Sequence, residues 1–261
     1  MQHCRLLHGN EVTITAAWQC SLYDPYWRFY RNRDDGAVIF DDEGEYPMRA
    51  GAYVIVPAWG RFRTRCAGAV RHTYLHFDPL GLPGPWVRER RTRLVDLPRR
   101  ATWDAVLDAM PLRGDAPWPL QLRTQAMLCE AVALVIDGLA GDAAQPRDTA
   151  DGDDRRLVDP AVRWIEEHLA DPLPVDLLAR RCRIGRDHFT RVFTRVMGSS
   201  PARHVAERRI AAAALLLLRS DDPIEAIAER TGFPNRYHFT RVFSRILGTS
   251  PAAYRKQGKL G

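Results

Sequence analysis

The 261-residue chain has 46% hydrophobic residues and a net charge of +6, a composition that favours two globular domains over a disordered or fibrous chain. It contains no run of 18 uncharged apolar residues and no signal-peptide core near its start, so we expect a cytoplasmic protein that makes no membrane contact. Its five cysteines are scattered and never form a CxxC pair, which argues against a disulfide framework or a zinc knuckle.

Residues 10–100 show the alternation of apolar and polar residues that is typical of β-strands. The segment EVTITAAW alternates Val12, Ile14, Ala16 and Trp18, and the segments GAYVIVPAWGRFRTR and VRHTYLHF are rich in β-branched and aromatic residues. Glycine and proline separate these short segments. Residues 1–100 are therefore predicted to form a β-barrel or a sandwich.

Helical periodicity follows over residues 101–140. Trp103, Val106, Leu107 and Met110 have helical spacing, and a longer helix is predicted from about Leu120 to Leu139. This longer helix either packs on the strand domain or forms a dimer interface through its apolar stripe of Leu120, Met127, Leu128, Ala131, Leu134 and Val135. Residues 141–156 are small and polar without an apolar period, so they are predicted to be a linker.

The positive charge is concentrated after this linker. Residues 157–261 contain 18 basic and 11 acidic residues, whereas residues 1–156 contain 20 and 21. This imbalance favours a nucleic-acid partner for the C-terminal part. Because Lys256 and Lys259 are the only lysines, the many arginines also fit a GC-rich genome, and charge alone leaves the partner open.

The hexapeptide HFTRVF occurs twice, at residues 188–193 and 238–243. The segment LARRCRIGRDHFTRVFTRVMGSSP aligns with IAERTGFPNRYHFTRVFSRILGTSP, and each copy predicts a short helix, a tight turn and a second helix, with one more turn residue in the second copy. The second helices carry apolar stripes of Phe189, Val192, Phe193 and Val196 and of Phe239, Val242, Phe243 and Ile246. The pattern predicts a duplicated helix-turn-helix in residues 157–261.

The opposite faces of these two helices hold guanidinium and short polar side chains that suit base edges in a major groove. The candidate DNA-binding residues are Arg186, Asp187, Thr190 and Arg191 in the first copy and Asn235, Arg236, Tyr237, Thr240 and Arg241 in the second. Between the copies, Ser200 and Pro201 begin a helix of about 18 residues, roughly 27 Å long. This length is close to one DNA turn of about 34 Å, so we expect the two helices to enter successive grooves.

The chain resembles the AraC/XylS family of bacterial transcriptional regulators over residues 159–255, through RRIAAAALLLL and IEAIAERTGFPNRYHFTRVFSRILGTSPAAYR. More weakly, DPYWRFYRN, GAYVIVPAWGRF and VRHTYLHFDP resemble the cupin-like sensory domain of many members. The resemblance implies an α+β protein that binds double-stranded promoter DNA as a homodimer, responds to a small-molecule effector and contacts RNA polymerase. Activation and repression remain open.

The first copy departs from the family pattern in its turn. It has Arg183 and Gly185 where the family has glycine and serine, whereas the second copy keeps Gly232 and has Asn235 as a helix cap. A left-handed non-glycine residue costs about 1 kcal/mol, and replacing a serine cap with glycine costs a few tenths. We therefore expect Arg183 to be left-handed and the first unit to be the looser one.

Aromatic side chains with polar tips are candidate effector-binding groups in the barrel, for a sugar or an aromatic compound. These candidates are Trp18, Trp27, Tyr30, Tyr53, Trp59, Tyr74 and His76, and ordinary core packing is their alternative role. Arg28 and Arg31 could pair with an anionic ligand but are expected to be solvated.

No cofactor or metal is expected. His72 and His76 lie about 13 Å apart on one strand face, too far to share an ion, and Phe62 stands near the position of a cupin metal-ligating histidine. A cupin-type enzyme and an interaction protein that has lost DNA binding remain as alternative functions. No catalytic motif of nucleophile or phosphate-binding type supports the enzyme.

Overall fold

The computed structural model describes residues 3–42, 44–80, 95–110, 116–142 and 152–258. The described residues up to 142 belong to an N-terminal compact unit, and those from 152 onward belong to a C-terminal one. None of the described helices is both long and apolar enough to cross a membrane.

The N-terminal unit is built on two antiparallel sheets. Its strands are β1 (His3–Ile14), β2 (Ser21–Tyr23), β3 (Trp27–Asn32), β4 (Ala37–Phe40), β5 (Glu45–Met48), β6 (Tyr53–Val56), β7 (Arg61–Cys66), β8 (Val70–Leu80) and β9 (Val95–Leu97). One sheet has the order β1-β8-β3-β6-β9 and the other the order β2-β7-β4-β5. The predicted β domain is therefore two sheets whose inner faces share one core.

Two of the predicted strand segments end differently in the structure. β1 ends at Ile14, because a turn follows in which the Trp18 amide donates to the Thr15 carbonyl at 2.8 Å. The alternation of Ala16 and Trp18 beyond Ile14 was therefore misleading, although Trp18 is still buried. The segment GAYVIVPAWGRFRTR forms two strands, β6 and β7, separated by residues 57–60.

The five-stranded sheet is buried on both faces. On β6, Val54 and Val56 point into the core between the sheets, whereas Tyr53 and Ile55 pack against helices on the outer face. Those helices are α1 (Ala101–Asp108) and α2 (Trp118–Asp142). This double burial explains why β6 is an uninterrupted apolar run, as strands covered on both faces usually are.

The apolar stripe of α2 packs inside its own domain. Leu120, Met127, Leu128, Ala131 and Val135 are buried in the core shared with the sheet, and Leu134 is partly buried there. The packing alternative is confirmed, and the dimer alternative is wrong for this stripe, because its apolar surface is already covered. Among the described side chains of α2, the exposed large apolar ones are Trp118 and Leu122.

The C-terminal unit is helical. Its helices are α3 (Gly152–Glu167), α4 (Val175–Arg181), α5 (Arg186–Met197), α6 (Pro201–Arg219), α7 (Ile224–Arg230), α8 (Arg236–Leu247) and α9 (Pro251–Gly258). The predicted fold class, an α+β chain with a cupin-like sheet domain and a C-terminal all-α domain, is confirmed.

The linker predicted at residues 141–156 extends too far at both ends. α2 runs to Asp142, and α3 begins at Gly152. Asp153 and Asp154 lie in the first turn of α3, where their negative charges interact favourably with the positive end of the helix dipole. Asp154 also pairs with Arg195 on α5. Residues 143–151 of the predicted linker lie outside the described residues.

Candidate nucleic-acid interface

The two helix-turn-helix units share the hydrogen bonds of their turns. In the first, between α4 and α5, the amides of Arg183 and Ile184 donate to the carbonyls of Arg180 and Ala179. In the second, between α7 and α8, the amides of Gly232 and Phe233 donate to the equivalent carbonyls of Glu229 and Ala228. Arg183 is therefore the structural counterpart of Gly232, and the second turn is one residue longer before its second helix.

The predicted strain in the first turn is confirmed. Arg183 has a φ of 56°, in the left-handed region, and Gly232 has a φ of 79°. The caps of the following helices also differ: the Asn235 side chain accepts from the His238 amide at 2.8 Å, whereas Gly185 has no side chain that could accept at α5. The first unit thus forms the same turn with a less favourable residue at its left-handed position and without a side-chain cap on the following helix.

The apolar face of each second helix is buried as the periodicity predicts, with one shift in the second copy. Phe189, Val192, Phe193 and Val196 are buried on α5, and Phe239, Val242 and Phe243 are buried on α8. On α8, Leu247 is buried, whereas Ile246, which the periodicity placed in the stripe, is only partly buried. These stripes leave the opposite faces open to solvent.

The exposed face of α5 carries its own polar network. The Arg186 guanidinium donates to Asp176 at 3.3 Å, and the Thr190 hydroxyl donates to the Arg186 carbonyl at 2.9 Å. Arg191 donates to the His188 ring at 3.3 Å. With Asp187, these side chains line a groove of about 730 Å³ between α5 and the starts of α4 and α6. The structure therefore brings the four first-copy candidates together on one surface.

The side chains on the exposed face of α8 make fewer contacts than those of α5 with the rest of the described structure. Tyr237 is 87% exposed, and Arg236 beside it is exposed at the first position of the helix. Arg241 donates to the His238 ring at 3.2 Å, which repeats the Arg191–His188 pair, and Thr240 is partly buried. Asn235 serves as the cap, so its side chain stabilises the helix start. Arg236 and Tyr237 are thus the side chains that this helix presents most openly.

A single helix connects the two units. α6 spans 19 residues, starts with Pro201, and is capped by the Ser200 hydroxyl, which accepts from the Arg203 amide at 3.4 Å. Such a helix is about 28 Å long, in agreement with the length expected from the sequence. The two exposed faces are therefore held on one rigid element.

The sheet domain encloses a second set of polar groups, in rows set by the strand register. On the inner face, β8 places His76 opposite His8 of β1 and Arg28 of β3, and it places His72 opposite Asn32 of β3. Tyr74 shares a hydrogen bond of 3.0 Å with His8, and the His72 ring donates to Asn32 at 2.7 Å. Sequence reasoning missed these rows because strand pairing, which creates them, is long-range.

Burial keeps the inner histidines neutral. It lowers the pKa of His72 to about 4 and lowers the pKa of His76 well below its usual value, the latter aided by the nearby Arg28 charge. The Nδ1 atom of His76 is buried and has no hydrogen-bond partner among the residues that the structure describes. A polar group of this kind could accept or donate to a small molecule between the sheets.

Arg28 and Arg31 are buried and paired, so the expectation that they are solvated is wrong. Arg28 faces inward and forms a buried ion pair with Asp24. Arg31 faces outward and contacts Asp104 at 3.1 Å and Asp108 at 2.7 Å, which ties α1 to the sheet. Carboxylates compensate the burial of both guanidinium groups. Hydrophobic periodicity does not predict these pairs, because the carboxylates lie in a turn or far away in the sequence.

The seven effector candidates divide between two places. Trp18, Tyr30 and Tyr74 belong to the core between the sheets, and His76 lies on the same inner face. Trp27, Tyr53 and Trp59 belong instead to the core shared with α1 and α2. The structure therefore brings four of the seven together. Among the described residues, no cluster of three or more His, Cys, Asp or Glu side chains could hold a metal ion.

The C-terminal geometry defines a helix-turn-helix protein with two units on one connecting helix. A model of a helix-turn-helix domain family matches residues 178–257. The multiple antibiotic resistance protein MarA of Escherichia coli is 32% identical over 73 residues, which is 28% of this chain and 58% of MarA. The regulatory protein SoxS of Escherichia coli is 29% identical over 79 residues, which is 30% of this chain and 74% of SoxS. The chain thus spans just over half the length of MarA.

The solved structure of ToxT from Vibrio cholerae is similar along almost the whole chain. It has a TM-score of 0.56 at 11% identity and covers 96% of this chain and 98% of ToxT, so it shows a shared fold. Together with the motifs of the second unit and the left-handed turn residues, these matches confirm the resemblance inferred from the sequence. The match to the helix-turn-helix family model covers residues 178–257, and the match to ToxT shows that the chain shares its fold.

Proposed function

We propose that this protein is a sequence-specific DNA-binding transcriptional regulator and not an enzyme. Its helices α5 and α8 enter successive major grooves of double-stranded promoter DNA, and α6 sets their separation. The observation that carries the proposal is the pair of exposed, arginine-bearing faces that follow two equivalent turns on one rigid helix. The excess positive charge of residues 157–261 supports it.

Within this proposal the second unit is the principal base reader. Arg236 forms no hydrogen bond or ion pair with the described residues, and Tyr237 is almost fully exposed, so both are available to bases without breaking an existing contact. In the first unit, one nitrogen of the Arg186 guanidinium already contacts Asp176, so Arg186 is less free than Arg236 to reorient toward a base. Asp187, Thr190, Arg191, Thr240 and Arg241 complete the proposed interface.

The test is the binding of the full chain to a duplex selected by this protein from a random library, compared with unrelated duplexes. Arg236→Ala is expected to weaken the selected site by about 1–3 kcal/mol and to leave unrelated DNA nearly unchanged, if Arg236 contacts a guanine. Arg245→Ala removes the same charge from the far end of α8 and is the matched control. Equal losses on both kinds of DNA would make Arg236 a phosphate contact.

Salt dependence tests the phosphate part of the same proposal. With on the order of six phosphates neutralised, the logarithm of affinity should fall against the logarithm of salt concentration with a slope of roughly −5. A flat salt dependence would exclude the phosphate contacts, and a lack of preference for any selected sequence would exclude sequence-specific binding.

The sheet domain is proposed to bind the effector between the two sheets. Trp18, Tyr30 and Tyr74 lie in the core between the sheets, and His76 lies on the same inner face. The His76 Nδ1 atom, which has no hydrogen-bond partner among the described residues, supports a ligand with hydrogen-bonding groups, such as a sugar or an aromatic compound. A thermal-shift panel of these compounds is the test. A stabilising compound should lose its effect in His76→Leu, and should keep it in Trp27→Leu, whose ring lies in the other core.

The proposal also includes a homodimer in the cytoplasm that contacts RNA polymerase. Trp118 and Leu122 lie one turn apart on α2, are 74% and 58% exposed, and form the apolar surface that supports self-association. Sedimentation should show a dimer for the full chain and a monomer for the Trp118→Ser/Leu122→Ser double variant. A monomeric native chain at high micromolar concentration would remove the dimer from the proposal.

A further inference from the structure

Arg209 lies near the middle of α6 and reaches back to the first helix-turn-helix unit. Its Nε donates to the Leu169 carbonyl at 2.9 Å, and its Nη2 donates to the Asp171 carbonyl at 2.6 Å. Both carbonyls belong to the turn between α3 and α4. Two charge-assisted hydrogen bonds from one planar guanidinium fix its orientation, which the single ammonium group of a lysine could not do.

The other side of the same guanidinium contacts the second unit. Its carbon atom lies 5.9 Å from the centre of the Phe233 ring. Phe233 is buried in the turn between α7 and α8, and its ring packs on Phe239 of α8 at 5.2 Å. Arg209 is thus one contact away from the core side of the second recognition helix.

Gly232 closes this contact from the second unit. A Cβ atom at residue 232 would lie 2.5 Å from the Leu169 carbonyl oxygen and 2.8 Å from the Arg209 guanidinium. The turn of the second unit therefore touches the turn between α3 and α4 directly, with no room for a methyl group between them. Arg209 fills the remaining space beside this close approach.

Two recognition helices bind successive grooves only if both their separation and their relative angle are fixed. α6 fixes the separation, but a helix joined to a unit at each end leaves the angle of each unit to other contacts. The contact between Leu169, Arg209 and Gly232 is a second connection between the units, placed to one side of the α6 axis. Two connections fix an angle that one connection leaves free.

We infer that Arg209 is a positioning residue for DNA recognition, which locks the angle between α5 and α8 so that both units bind one duplex at the same time. The inference rests on the proposed DNA-binding function and adds a residue that touches no base. Its consequence is specific: loss of Arg209 should weaken the cooperation between the two half-sites and leave the affinity of each single half-site unchanged.

The experiment compares Arg209→Met with Arg208→Met in the full chain. Arg208 is the adjacent arginine of α6, and its contacts with Glu166 at 2.5 and 2.8 Å stay within the first unit, so it controls for the loss of a partly buried arginine. Affinity is measured on the library-selected duplex, on two duplexes with one half-site randomised, and on a duplex with one base pair inserted between the half-sites.

For the native chain and for Arg208→Met, we expect the full site to bind much more tightly than either half-site, and the inserted base pair to weaken binding by about thirtyfold. For Arg209→Met, we expect a loss of about tenfold on the full site, no change on the half-sites, and a penalty for the insertion of about threefold or less. Arg209→Lys, which keeps the charge and one donor, should lie between these two results and covers the case in which Arg209→Met folds poorly.

An unchanged ratio between full-site and half-site affinities in both Arg209 variants would overturn the inference. So would an equal loss on the full site and on the half-sites, because that result describes damage to one unit. A native chain that prefers no duplex from the library would instead refute the proposed function, and the two failures are therefore distinguishable.

Discussion

The two helix-turn-helix units share the same turn hydrogen bonds but differ in how well their residues suit the backbone conformation of the turn. The second turn has glycine at its left-handed position and asparagine as the cap of α8, whereas the first turn has Arg183 and Gly185 at the corresponding positions. Both units nevertheless bury a complete apolar stripe. Tertiary burial therefore holds the first turn in a conformation that its local sequence disfavours.

The second glycine also has a role that the first turn lacks. Gly232 lies against Leu169 and Arg209, so its missing side chain permits both a left-handed backbone and a close approach. Gly185, in contrast, has a φ of −67° and open space around the position of a Cβ atom. Four substitutions separate these effects. Each is tested in the fragment 150–261, which contains the whole described C-terminal unit.

The largest effect is expected for Gly232→Ala. Overpacking against the Leu169 carbonyl and a left-handed alanine together should destabilise the fragment by about 2–4 kcal/mol in urea unfolding. Gly185→Ala is the matched control and should change stability by less than about 0.5 kcal/mol, since its φ suits any residue. Similar stabilities for the two alanine variants would show that the close approach at residue 232 is relaxed in solution.

A smaller loss is expected for Asn235→Ala, which removes the acceptor for the His238 amide at the start of α8. The stability of the fragment should fall by about 1 kcal/mol. Asn235→Asp keeps the acceptor, and its stability should stay near that of the native fragment. If the aspartate and alanine variants were equally unstable, the cap would not be the source of the loss.

A gain is expected for Arg183→Gly. This change relieves a left-handed arginine and should stabilise the fragment by about 0.5–1 kcal/mol, seen as a higher melting temperature. Arg183→Ala removes the same charge but keeps a Cβ atom, so it should not share the gain. A lower melting temperature for the glycine variant than for the native fragment would contradict a left-handed Arg183.

The smallest effect is expected for Gly185→Asn, which gives α5 the cap that α8 already has. The backbone at residue 185 is extended, and its surroundings are open, so the new side chain fits and should add a few tenths of a kcal/mol. Hydrogen exchange at the first amides of α5 is the sensitive measurement, and slower exchange is expected there. Unchanged exchange at those amides would mean that the asparagine does not cap the helix.

Local sequence patterns were sufficient to predict much of the structure of the C-terminal unit. The repeat, the Ser200 cap and the left-handed Arg183 all depend on residues close together in the chain, and the structure confirms each of them. Chemistry that depends on distant partners was not predictable in this way. The contacts of Arg31 with α1 and the bridge made by Arg209 arise from the approach of segments that are far apart in the sequence.

The same distinction explains the errors in the N-terminal unit. The alternation of EVTITAAW continues through Trp18, yet the strand ends at Ile14, since alternation alone does not reveal where a backbone turns. The apolar stripe of α2 had two compatible roles, and only the position of the sheet decides between them. The seven effector candidates look alike in sequence but are divided between two separate cores.

The connecting helix α6 has a consequence for how this gene can change over generations. Its residues 211–218 are four alanines followed by four leucines, a run in which substitutions between helix-forming residues are mild. A change in length is different, because one inserted residue turns everything after it by about 100° and moves it by about 1.5 Å. We therefore expect α6 to tolerate a substitution in this run better than a one-residue insertion, which would change the relative orientation of α5 and α8.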